Sequence, residues 1–178
     1  KKLTINGVVT DASCNGSCDG KIDITVKDGT PKTGGGYDFS WYKNGSTSAF
    51  SNLEDLSSQC AGDYKIVITD ANLCTATTTL AIKEPTALQC SISVIDVKCY
   101  GDNTGSIKSY PSGGTKGLNG DYTSYSWTGP SGFTDPGTSD ASKLKAGDYT
   151  LTIIDANGCK ITKIQTIQEP RKAITLQY

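Results

Sequence analysis

The chain has no histidine and no methionine, and its charges nearly cancel, with 17 Lys and Arg against 18 Asp and Glu for a net charge of −1. Without imidazole there is no ordinary general base near neutral pH, and the zinc patterns that mix Cys with His are excluded. Without a charge excess there is no field to draw nucleic acid or an anionic lipid surface. No apolar run approaches the roughly 20 residues that a membrane-spanning helix needs. Nucleic acid and membrane insertion are therefore not expected among its partners. No nucleophile motif is present, nor any glycine-rich phosphate loop set between a strand and a helix. The expectation is a chain that is not an enzyme and carries no cofactor.

Seven cysteines stand against these absences. Cys14-x-x-x-Cys18 opens like a four-thiolate zinc site, but the remaining cysteines are scattered rather than paired, so no metal is expected there. That leaves a disulfide framework, which persists only in oxidising compartments and points to an extracellular or cell-surface location. The chain begins at Lys1 with no initiating Met, as expected of a processed chain or a piece of a longer one.

The sequence repeats. A shift of 85 positions lays Cys14 on Cys99, Gly16 on Gly101 and Ile22 on Ile107. The same shift lays Ala61-Gly62-Asp63-Tyr64 on Ala146-Gly147-Asp148-Tyr149, and Asp70-Ala71-Asn72-Leu73-Cys74 on Asp155-Ala156-Asn157-Gly158-Cys159. Glu84-Pro85 recurs as Glu169-Pro170. So long a period is a domain duplication rather than a solenoid unit. The domains predicted are 1–85 and 86–170, with 171–178 as the start of a further strand or a C-terminal extension. Glu84-Pro85 leaves almost no linker, and proline there suggests a stiff joint.

Within a copy the hydrophobic period is two. Ile22, Ile24 and Val26 alternate with Lys21, Asp23 and Thr25, and Tyr37, Phe39 and Trp41 form another such face. Tyr64, Ile66 and Ile68 form a third, matched in the second copy by Tyr149, Leu151 and Ile153. Asn-Gly and Gly-Gly pairs punctuate the strands where turns need positive φ. Six or seven short strands per copy, with no helix, predict an all-β fold of two tandem immunoglobulin-like β-sandwich domains. Trp41, Trp127, Phe39, Tyr64 and Tyr149 lie on strand faces and are read as core. Tyr42, Tyr100, Tyr110, Tyr122 and Tyr125 are read as candidate exposed aromatics for sugar or protein.

Cys14 and Cys74, with Cys99 and Cys159, are the cysteines shared by both copies. Parsimony predicts the bridges Cys14 to Cys74 and Cys99 to Cys159, each stabilising its domain by roughly 4 kcal/mol in the chain-entropy model. Cys18 and Cys60 occur in the first copy alone and are predicted to pair with each other. Cys90 is the odd cysteine: free, buried in the first strand of the second copy, or joined to another chain. Asp70, Asn72, Asp155 and Asn157, with Asp11, Asp19, Asp96 and Asp102, are weak calcium candidates. Their spacing is not that of a calcium loop, and turn chemistry explains them without a metal.

Taken together, Cys14-Asn15-Gly16, Gly34-Gly35, Trp41, Gly62-Asp63-Tyr64, Asp70-Ala71-Asn72, Cys74 and Glu84-Pro85 resemble the SprB repeat of the Bacteroidetes, and the pattern returns from Cys99 to Pro170. Leu73, where glycine is usual, and Cys18, Cys60 and Cys90 depart from it. The resemblance implies part of a long secreted or surface-displayed protein, of the kind that includes gliding-motility adhesins exported by type IX secretion. The function expected is an adhesin or stalk module whose partners are other repeats or subunits, surface glycans or protein. One alternative is a filament subunit in which Ala173-Ile174-Thr175-Leu176 adds a strand to another molecule. The other is a carbohydrate-binding accessory module.

Overall fold

The structure, a computed structural model, describes residues 1–172. The strand expected at residues 173–176 lies outside them. The chain divides between Pro85 and Thr86 into two compact units. Unit 1 contains β1 (Thr4–Thr10), β2 (Gly20–Lys27), β3 (Asp38–Lys43), β4 (Leu56–Gln59), β5 (Gly62–Thr69) and β6 (Thr75–Ile82). Unit 2 contains β7 (Gln89–Ile95), β8 (Gly105–Ser112), β9 (Ser124–Thr128), β10 (Ala141–Leu144), β11 (Gly147–Ile154) and β12 (Lys160–Ile167). There is no helix among the described residues.

Each unit is built from two three-stranded antiparallel sheets, β1-β2-β4 with β3-β5-β6, and β7-β8-β10 with β9-β11-β12. The alternation predicts the faces. Ile22 and Ile24 of β2 turn inward to meet Trp41 of β3 and Tyr64, Ile66 and Ile68 of β5, all buried. Ile107, Trp127, Tyr149, Leu151 and Ile153 repeat this core in unit 2. Each fully buried aliphatic side chain contributes about 1.5–3 kcal/mol of transfer free energy. The tryptophans are polar as well as large, so each needs an acceptor when buried. Trp41 Nε1 donates to the Leu53 carbonyl at 2.9 Å, and Trp127 Nε1 to that of Thr138 at 2.8 Å.

Tyr64, at the start of β5, donates its hydroxyl back to the Cys60 carbonyl at 2.7 Å, and Tyr149 donates to Lys145 at 3.0 Å. This is the tyrosine corner of immunoglobulin-like sandwiches, which pins the crossing from one sheet to the other. Just before it, Ser58 and Lys143 sit at equivalent positions with φ of 57° and 56°. There the register of β4 on β2 and of β10 on β8 slips, and the bulge turns the strand toward the corner. Strand order, buried tryptophan and tyrosine corner make each unit an immunoglobulin-like β-sandwich.

The register also defines two poles. Thr4 pairs with Lys27 at the upstream pole of unit 1, where the chain comes in and where the β5–β6 turn lies against Thr30. Ala12 bonds to Lys83 at the downstream pole, where the chain leaves. β6 runs the full distance between them in eight residues, about 25 Å at ~3.4 Å per residue. Cys74 sits at its first end and the Cys14 loop at its last. A disulfide cannot span more than about 7 Å between Cα atoms, so the predicted Cys14 to Cys74 bridge cannot form. Cys99 and Cys159 are separated in the same way by β12, and the second predicted bridge fails for the same reason. Cys74 and Cys99 carry exposed free thiols, whereas Cys14 and Cys159 are disulfide-bonded. The predicted Cys18 to Cys60 bridge is present. Cys90 is free and buried in β7.

Replacing Tyr64 by Phe keeps the ring in the core and removes only the corner hydrogen bond, a cost of about 1 kcal/mol. Thermal unfolding followed by circular dichroism is expected to show the unit 1 transition lowered by roughly 4–8 °C. An unchanged midpoint would mean that the corner contributes no stability.

Candidate functional site

Sequence motifs meet at the poles. At the upstream pole Asp70 is 2% exposed, and its carboxylate is filled by backbone donors. Oδ1 accepts from the amides of Asn72 and Cys74, both at 2.9 Å, and Oδ2 accepts from Thr30 at 3.0 Å. The Thr30 bond leads in holding this carboxyl below its usual range. Asp155 repeats the arrangement with Asn157, Cys159 and Thr115. Asn72 and Asn157 close the turns by donating Nδ2 to Thr30 Oγ1 and Thr115 Oγ1. Gly29, with φ of 75°, lets the backbone pass here, since a Cβ would lie 2.7 Å from Leu3 Cδ1.

The carboxylates among the calcium candidates have backbone donors for partners. A cation needs converging oxygens, whereas these carboxylates face N–H groups. Asp11 accepts from the Lys83 amide, Asp96 from Gln168 and Asp19 from Ser13. No three His, Cys, Asp or Glu residues gather as metal ligands among the described residues. The downstream pole uses glutamate in the same way. Glu84 accepts from Asn15 Nδ2 at 2.9 Å and from the Gly16 amide at 2.7 Å, and Glu169 accepts from the Gly101 amide at 2.8 Å. The Cys-x-Gly and Glu-Pro motifs are thus the two halves of one clamp.

The two units differ at the downstream pole. In unit 2 a groove of about 330 Å³ opens there, lined among others by Asn103, Pro130, Phe133, Lys143, Lys145 and Tyr149. The positions in unit 1 that correspond to Asn103 and Lys145 are Cys18 and Cys60, joined by the disulfide. Phe133 meets Tyr149 edge to face at 5.1 Å and forms the apolar wall. Sequence reasoning missed the groove, because its residues come from two loops and from β10 and β11, far apart in the chain; the paired exchange of Cys18 and Cys60 for Asn103 and Lys145 was the available signal.

The aromatic expectations separate. Trp41, Trp127, Tyr64 and Tyr149 are buried, and Phe39 is half-buried. Tyr100 and Tyr110 are exposed, and Tyr42 and Tyr125 are half-buried. Tyr122, expected outside, is buried because its hydroxyl reaches the Gly113 carbonyl while its ring packs on the unit 2 core. Tyr125 donates to Asp121, and burial followed by this bond pushes its phenol pKa well up. The described residues bring none of these rings into a shared platform with Tyr100 or Tyr110.

The SprB repeat model matches residues 6–46, within unit 1, in agreement with the resemblance of its motifs. SprB repeats are associated with cell-surface proteins, and the Cys18 to Cys60 disulfide fits an extracellular protein. No curated protein matches the chain. Among solved structures it is similar to the three N-terminal domains of the bacteriophage RB49 Highly Immunogenic Outer Capsid protein (Hoc), with 13% identity and a TM-score of 0.48 over 94% of this chain. The chain spans 59% of that structure. It is also similar to the amphioxus IgVJ-C2 molecule, with 10% identity and a TM-score of 0.35 over 93% of this chain and 96% of that one.

Asp70→Asn removes the charge and turns an N–H donor toward donors, so it is expected to lower the unit 1 melting temperature at pH 7. The folded pKa of Asp70 lies below its ordinary value of 3.8, so its contribution is present above that pH and is lost as the pH falls through the folded value. Melting temperatures of the two proteins should therefore converge as the pH falls below 3.8; a constant gap would show that the charge plays no part. Leu73 sits at φ 63° with 82% of its surface exposed. Leu73→Gly is expected to raise stability by roughly 0.5–1 kcal/mol in urea unfolding, the left-handed penalty less glycine's greater unfolded-state entropy. A loss of stability would mean that the side chain makes a packing contact.

Proposed function

We propose that the chain is a non-catalytic module of a surface-displayed Bacteroidetes-type protein, which spaces or presents a binding surface in adhesion or gliding motility. One observation carries this reading. Each unit receives the chain at one pole and releases it at the opposite one, the geometry of a repeat in a strung series. The SprB match in unit 1 and the recurrence of its motifs in unit 2 support counting both as repeats of one kind. Type IX export belongs to the same reading. So do its partners, which are other repeats of the parent protein and surface glycans or proteins, without nucleic acid or membrane insertion.

The recurring motifs favour a spacer over a catalyst, because their residues are spent on the fold. Asp70, Glu84 and Tyr64 each bond to backbone of their own unit. A second reading, a carbohydrate-binding accessory module, draws on the unit 2 groove, where Phe133 offers an apolar wall and Lys143 and Lys145 offer donors. The strand-addition filament depends on residues 173–176, outside the described residues.

Antibodies raised against the chain are expected to label intact cells that produce the parent protein, and brief external protease should remove the label. Labelling only after permeabilisation would overturn the surface assignment. A glycan array separates the readings, since binding abolished by Lys145→Ala would put the carbohydrate module first.

A further inference from the structure

We infer that Cys99 of one chain and Cys74 of a second copy form a disulfide, linking copies covalently head to tail. By the 85-residue shift, Cys74 corresponds to Cys159 and Cys99 to Cys14. In each corresponding pair one cysteine is disulfide-bonded and the other is a free exposed thiol. Both positions are thus able to hold a bridge in this fold. The two free thiols also belong to opposite poles, Cys74 beside the upstream turn of unit 1 and Cys99 beside the downstream clamp of unit 2.

The neighbours of the free thiols supply a second, independent observation. Leu73 is 82% exposed beside Cys74, and Tyr100 is 54% exposed beside Cys99. The disulfide-bonded counterparts have Gly158 beside Cys159 and Asn15 beside Cys14. An apolar side chain therefore adjoins each of the two exposed free thiols and neither of Cys14 and Cys159. Leu73 is moreover held at φ 63°, where glycine is the unstrained choice. A second copy bringing Tyr100 over Leu73 buries both and aligns the sulfurs. Such a contact joins two different surfaces, so it propagates rather than closing as a two-fold dimer.

The oxidant is a small-molecule disulfide such as oxidised glutathione. The Cys99 thiolate attacks it, forming a protein–glutathione mixed disulfide and releasing one glutathione thiol. The Cys74 thiolate of the second copy then attacks the Cys99 sulfur and releases the other. Two protein thiols are oxidised and one glutathione disulfide is reduced to two thiols.

The full chain, incubated at high concentration with oxidised glutathione, is expected to form a ladder on non-reducing electrophoresis that collapses with dithiothreitol, and peptide mapping should find Cys74 joined to Cys99. Cys74→Ser and Cys99→Ser are each expected to stay monomeric alone and to give dimer, but no ladder, when mixed. Alkylating the wild-type thiols before oxidation should abolish the ladder without any substitution. Thiols that remain free or only glutathione-capped would overturn the inference, as would dimers formed by either variant alone.

Discussion

Burying a carboxylate in a small sandwich is costly unless its oxygens are filled, and the geometry of the upstream pole follows from how this chain fills those of Asp70 and Asp155. Asp70 satisfies three amides that belong to the end of one sheet and the turn of the other. A charge-assisted bond is stronger than a neutral one, and here it fastens segments with few apolar residues to hold them. Glu84 performs the same service at the other end, tying the Cys14 loop to the exit of the last strand. Between these two clamps the core needs only the alternating Ile, Trp and Tyr faces of six short strands.

Most of this order was legible in the sequence. Period-two alternation marks a half-buried strand whatever its partner, so Ile22-Ile24 and Ile66-Ile68 could be placed facing a core. The division after Pro85 followed from the repeat, and the SprB resemblance from motifs that turn out to be clamps and corners. The shared cysteines were misread for a physical reason. Equivalence between copies says that two positions share a place in the fold; it says nothing about their distance within one copy, and a strand of eight residues separates them. Cys18 and Cys60 succeeded because both are present in unit 1 and both absent from unit 2, a sign of contact that Cys14 and Cys74 lack. Tyr122 was misjudged because its loop carries no alternation from which burial can be read.

The same substitution shows how the copies diverged. In unit 1 sulfur ties the loop before β2 to the end of β4, whereas in unit 2 asparagine and lysine stand in those places at the mouth of a groove. One copy is reinforced at this pole and the other is left open there, although their cores, corners and carboxylate clamps are alike. Specialisation is concentrated where the scaffold has loops to vary.

The Cys18 to Cys60 bridge has a further consequence when force is considered. Tension reaching a unit through its two chain ends runs along β1 and β6, which loads the ladders lengthwise so that many hydrogen bonds share the pull. If unit 1 gives way, the bridge short-circuits the slack: sulfur carries the load across a stretch of 42 residues that cannot pay out. Unit 2 has no such shunt between Asn103 and Lys145. Under load the Cys18 to Cys60 bridge therefore caps how far the first unit can lengthen between those two residues.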